Sequence, residues 1–166
     1  GAALVLSVIA AVVLGLMLTV AVVAAGGGYE QEFSPSMGGP YWLTVAGLVV
    51  DAAIVAVFAL CVATVSTVYF LPLVLGVAFA IAGKALGPTL EYFAAGSDTQ
   101  VERMRPLIEA LRWILPDLSR LDWRDWPMYQ TAPADGAIVW PLGMAISYMT
   151  LLMLVAVALF RRREFS

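Results

Sequence analysis

The chain has 166 residues, 62% of them hydrophobic and only 13% charged, with a formal net charge of −3. No soluble core of this size hides so much apolar surface, so lipid is the expected solvent for most of it. With no histidine and a single cysteine, Cys61, the chain is excluded from Ser-His-Asp chemistry, histidine-held haem, ordinary zinc or copper sites and an internal disulfide framework. An acidic balance also leaves no basic footprint for nucleic acid.

In chain order, a spanning helix needs roughly 20 apolar residues, and residues 4–25 supply the first without a charge. Gly26, Gly27 and Gly28 end it. A signal peptide is disfavoured, because the basic n-region is missing and the apolar core is too long. Residues 42–87 are about twice one span, and the hydroxyls of Thr64, Ser66 and Thr67 mark the division. This predicts spans at 42–63 and 68–86 in an antiparallel hairpin. The last span is predicted at 138–160, stopping at Arg161, Arg162 and Arg163. The expected fold is an all-α polytopic membrane helix bundle with four transmembrane helices, and with amphipathic outer helices between the third and fourth.

Four spans place both termini on one side. The contiguous arginines Arg161–Arg163 at the membrane edge argue that this side is cytoplasmic. Lys84 and five arginines lie at or in the long loop opposite, but they are spread among eight acids, and long segments cross with less regard to charge. All five tryptophans (Trp42, Trp113, Trp123, Trp126 and Trp140) fall toward the outer face. Interfacial anchoring explains them better than a ligand cage does.

Within the loop 88–137, Val101, Met104, Ile108, Leu111 and Leu115 repeat at helical spacing, with charges opposite. The expectation is one or two helices lying flat over the outer mouth of the bundle, as an outer gate. Pro106 starts or kinks a helix, and Pro116 ends one. Ser119 and Asp122 are spaced as a capping box.

Asp51 is the one acid inside a predicted span, near the bilayer midplane. A carboxylate there costs about 3 kcal/mol on insertion scales, so it is either a substrate-path or proton-linked group, or a buried polar contact to Ser66, Ser147, Tyr148 or Thr150, or to a part of the protein beyond this sequence. Gly76, Ala80, Gly83 and Gly87 share one face of the third span and predict a close helix–helix contact. Lys84 reads as a headgroup anchor and Cys61 as inert packing. Gly26–Gly28 lacks the Lys-Ser/Thr of a phosphate-binding loop, so the chain itself is expected to be no enzyme and to hold no cofactor.

The order of features, with "LRWILPDLSRLDWRDW" in the outer segment and "ALFRRREFS" at the close, resembles the C-terminal part of ABC-2 type transporter permeases. The nearest branch is that associated with multicopper-enzyme maturation. The matching residues are the leucine-rich stretch and the "PDL" step from Leu115 to Asp122, and the closing Arg161–Phe165. The resemblance implies a substrate path driven by a separate ABC ATPase subunit, a second permease copy (homo- or heterodimer), a bacterial-type inner membrane and a cytoplasmic C-terminus. Family permeases have six spans, so the chain reads as a fragment lacking two N-terminal spans and the coupling helix, unable alone to couple ATP hydrolysis to transport. The rival readings are a stand-alone four-span protein with a structural or assembly role, and an ion-coupled carrier using Asp51.

Overall fold

The computed structural model describes residues 2–26, 38–95, 106, 109–111, 114–129, 131–134 and 136–164. Most of these residues are helical, and none of them lies in a strand. In order they form α1 (Ala2–Gly26), α2 (Gly39–Val65), α3 (Leu71–Ala95), a 3-10 helix (Leu118–Leu121), α4 (Asp125–Tyr129) and α5 (Val139–Glu164). Three helices are long and apolar enough to cross a membrane, over Gly39–Val65, Leu71–Phe93 and Val139–Arg161. Helix α1 has 25 residues, and its apolar stretch with described side chains, Val12–Ala25, falls short of that length.

The break between α2 and α3 lies where hydroxyls compete with the helical ladder. Thr64 donates to the Cys61 carbonyl at 2.7 Å. Ser66 ends α2 in an extended conformation, its N–H bonded to the Val62 carbonyl at 2.9 Å. Its hydroxyl donates to the Val68 carbonyl at 2.8 Å and accepts the Val68 N–H at 3.1 Å. Pro72, the second residue of α3, is suited to a first turn, where its missing N–H costs nothing. The two helices run antiparallel. Phe58 stacks on Phe79 with ring centroids 4.1 Å apart, and a Cβ on Gly76 would lie 3.3 Å from Ala59 Cβ.

Helix α3 outlasts its expected end at residue 86 and passes through Pro88 to Ala95. Pro88 forgoes its bond to the carbonyl four residues back and crowds that carbonyl, yet the helix continues, and just beyond it the Thr89 hydroxyl donates to the Ala85 carbonyl at 2.6 Å.

Helix α2 is the hub, touching α1, α3, α4, α5 and the 3-10 helix. Helix α1 lies antiparallel along it, with Gly15 close to Val45 and the Thr19 hydroxyl bonded to the Tyr41 hydroxyl. The buried cluster elsewhere joins Ile54 of α2, Phe79 of α3 and Ala145 of α5 to Leu118, Leu121 and Trp123. Half of its fully buried members thus come from the segment between α3 and α5.

The helix expected to lie flat over the mouth falls mostly outside the described residues, but the part of the segment that is described does not lie flat. From Leu115 to Trp123 the chain dips between α2, α3 and α5. The Tyr148 hydroxyl, on α5, donates to the Ile114 carbonyl at 3.2 Å. Tyr148 stands nine residues into α5, about 14 Å from its start at ~1.5 Å per residue. Leu111 is 37% exposed, and Leu115 packs against the core. Met104 and Ile108 lie outside the described residues.

The capping box at Ser119 and Asp122 does not form. Asp117 is the residue that precedes the 3-10 helix, so Ser119 lies inside it and donates to Asp117 Oδ1 at 2.6 Å. Asp122 instead stands at its C-terminal end and takes Arg124. Tryptophan placement also divides. Trp42 and Trp140 are exposed near the starts of α2 and α5, as interfacial anchors are. Trp123 is buried, with Nε1 donating to the Ala137 carbonyl at 3.2 Å.

Candidate functional site: a buried ion pair beneath a re-entrant segment

One face of α2 carries Tyr41, Thr44, Gly47, Asp51, Ile54 and Val57, all buried. The spacings of three and four put these residues on one stripe of the helix. Across from it, α3 presents Gly76, Phe79, Gly83 and Leu86 as buried residues, with Ala80 and Gly87 half-buried. Between the two stripes sits an ion pair, Lys84 Nζ lying 2.8 Å from Asp51 Oδ2. The Asp51 side chain is 10% exposed and that of Lys84 45%. Asp51 is therefore held by Lys84, not by any of the four hydroxyls expected. Ser66 serves its own turn. Ser147 and Thr150 donate to the carbonyls of Gly143 and Ile146 within α5, and Tyr148 serves Ile114. Hydroxyls inside a helix find a carbonyl four residues back at hand, whereas the flexible Lys84 stem brings its ammonium to the acid.

The remaining oxygen, Asp51 Oδ1, is buried and has no hydrogen-bond partner among the described residues. A carboxylate offers about four acceptor sites, so the pair leaves part of this group's desolvation unanswered.

The cover over the pair depends on glycine at three positions. A Cβ on Gly47 would collide with the Leu121 carbonyl oxygen and lie 3.1 Å from the Trp123 ring. On Gly83 it would meet Leu118 Cδ1 at 2.7 Å, and on Gly87 the Asp117 carboxylate at 3.0 Å. The G-x-x-x-G step at Gly83 and Gly87 thus admits the re-entrant segment, and of the three described glycines on this α3 face Gly76, beside Ala59, serves the helix–helix approach. Thr44 fastens the far end, donating to the Trp123 carbonyl at 2.9 Å in a buried bond. Irregular backbone among apolar helices is tolerated where protein surrounds it, and Leu118 and Leu121 are each 1% exposed.

At the tryptophan end, Asp122 accepts Arg124 Nε at 2.7 and 2.9 Å. Burial pushes the Asp122 carboxyl up, but the hydrogen bonds and charge of Arg124, with the Lys84 charge adding, hold it below its ordinary value. Asp122 lines a polar cavity of about 460 Å³ together with Glu91, Asp125 and Tyr129. No group of three metal-ligating side chains occurs among the described residues. Arg161 is exposed near the opposite end of α5, and Arg162 and Arg163 continue that helix.

Thr44, Gly47 and Lys84 are the members of this site that periodicity in hydrophobic residues does not reveal. For Thr44 and Gly47 the signal is a stripe of small and polar residues in step with Asp51; Lys84, on α3, has no such signal. No protein-family model matches the chain, and neither a curated protein nor a solved structure does.

Proposed function

We propose that the chain is the membrane-embedded permease part of an ABC-2 type, ATP-driven transporter. In this reading α1 is a fourth span, and both termini face the cytoplasm of a bacterial-type inner membrane. A separate ABC ATPase supplies the energy and a second permease copy completes the path. The resemblance in the outer segment and at the closing arginines supports it. The observation that carries it is the seating of Leu115–Trp123 over the Asp51–Lys84 pair. A path through lipid needs polar groups inside the bundle and a cover able to leave them, and a segment held by one buried side-chain bond and glycine clefts can move as a unit between two packings. The outer segment, including the stretch 101–115, is then the gate on the exit side.

The test is to purify the protein from its native cells in mild detergent. An ABC ATPase that co-purifies with it, and whose hydrolysis rises when the two are combined in vesicles, is the expected result. Purification without an ATPase, together with no change in hydrolysis on mixing, overturns it. A second reading, an ion-coupled carrier, is favoured by the unpartnered Asp51 Oδ1 alone. It requires that Asp51→Asn abolish transport in vesicles without ATP, and a silent substitution there removes it.

A further inference from the structure

A second cavity opens on the opposite flank of the re-entrant segment, between that segment and α5. Its volume is about 410 Å³, within the range of roughly 300–1,000 Å³ that holds small organic ligands. The floor is apolar and comes from Ile114, Leu115, Met144 and Leu151. Ile114 and Leu151 are strongly exposed, so this groove faces whatever surrounds the bundle. Its mouth is different. Arg120 and Asp117 both line it, and Arg120 Nε donates to Asp117 Oδ2 at 3.0 Å. That bond uses Nε and does not involve the terminal guanidinium nitrogens; the Arg120 side chain is 56% exposed and that of Asp117 13%.

Depth along the helices orders these groups. The Asp117–Ser119 turn rests on Gly87, sixteen residues beyond Leu71, or about 24 Å up α3. Leu151 lies ten residues before Arg161, about 15 Å up α5 from its basic end. In a hydrocarbon layer ~30 Å thick with Leu71 and Arg161 at its inner edge, the groove therefore runs from the midplane to about 6 Å below the outer edge, within reach of the headgroups for a long arginine side chain, apolar below and charged above. The charged mouth sums to zero, since one guanidinium faces one carboxylate.

We infer that this groove is a binding site for one acyl chain of a zwitterionic phospholipid. The chain lies on Leu115, Met144 and Leu151, and the phosphate sits on the outer edge of Arg120. The headgroup ammonium is drawn to the Asp117 side. A neutral ion pair complements a headgroup that is itself a neutral pair, whereas an anionic headgroup leaves its charge uncompensated. Arginine is the side chain best shaped to take a phosphate, through paired N–H donors. The site lies apart from the Asp51–Lys84 pair and needs no ATPase. It requires only that the helices stand in a bilayer.

The experiment is native mass spectrometry of the detergent-purified chain, offered an equal mixture of phosphatidylethanolamine and phosphatidylglycerol. The expected result is one retained phosphatidylethanolamine. Arg120→Gln, at an exposed position that leaves the fold intact, weakens retention about tenfold, the scale of one charge-assisted hydrogen bond. Asp117→Asn leaves an unbalanced cation and shifts retention toward phosphatidylglycerol. Ser147→Trp, whose indole fills the floor beside Leu151, abolishes retention without lowering the unfolding temperature. Equal retention by wild type and Arg120→Gln overturns the inference, as does a lipid-free protein or a dimer that occupies the groove in place of lipid. Should the chain instead purify without detergent, the membrane reading fails with it. Lipid-free protein that still needs detergent removes the lipid site alone.

Discussion

Helix α1 and the segment Leu115–Trp123 both dock on α2, and composition predicts the wrong partner for the interior. Helix α1 carries no charge from Ala2 to Gly26, yet its described side chains are mostly exposed. It meets α2 chiefly where Gly15 admits Val45 and Thr19 bonds Tyr41. The re-entrant segment carries Asp117, Arg120 and Asp122, yet supplies three of the core's buried side chains. For a chain solvated by lipid, hydrophobicity does not sort inside from outside, because the solvent is as apolar as leucine. Close approach at glycines and satisfied hydrogen bonds decide what packs.

The sharpest way to break this contrast is at the ion pair. Lys84→Met strands the Asp51 carboxylate and is expected to cost about 3 kcal/mol, because one buried charge loses its partner. The double variant with Asp51→Asn should recover most of that loss. Thermal unfolding in detergent measures both. No recovery in the double variant would mean that Lys84 acts through packing and not through charge.

A smaller effect separates the two regions directly. Leu118→Ala empties a side chain held on Gly83 and should cost about 2–3 kcal/mol, mostly from the cavity left behind. Leu14→Ala, at a position 66% exposed on α1, should stay within ~0.5 kcal/mol. Equal losses in the two variants would erase the distinction drawn between the regions.

Smaller again is the glycine contrast. Gly47→Ala drives a methyl group into the Leu121 carbonyl and should cost about 1–3 kcal/mol. At Gly143, where nothing lies within 4 Å of a new Cβ, alanine should stabilise α5 by up to about 1 kcal/mol. A cysteine placed at Leu121 reports whether Gly47→Ala has expelled the segment, through its labelling rate.

The smallest expected effect is with pH. Asp122 has its carboxyl pKa depressed in the fold, so its contribution is complete above the unfolded value near ~3.9 and fades as pH falls through the lower folded value. Asp122→Asn should lower stability slightly at neutral pH, only slightly because Arg124 is largely exposed, and make no difference below the folded value, where the wild-type carboxyl is protonated as well; unfolding midpoints measured across pH check it.

Much of the secondary structure was legible along the chain. That a break follows Thr64 was readable from hydroxyls, although it falls at residues 66–70 and not at 64–67, and the last helix was readable from its apolar run and closing arginines. The site was half legible. Asp51 stands out as a lone acid, and Gly83 and Gly87 as a small-residue step. Their neighbours did not stand out, because a loop residue such as Leu118 or Trp123 has the same composition whether it anchors at an interface or fills a core. Lys84 was equally ambiguous, since a long flexible stem reaches headgroups or a buried acid with equal ease.

What the sequence determines by itself is local: which runs are apolar enough to be long helices, and where glycine, proline and hydroxyl groups interrupt them. What only the tertiary structure decides is which surfaces meet. That choice depends on groups distant in the chain arriving within a few ångströms of each other, as Gly47 does with Leu121 and Asp51 with Lys84, and no periodicity within one helix records its partner's position.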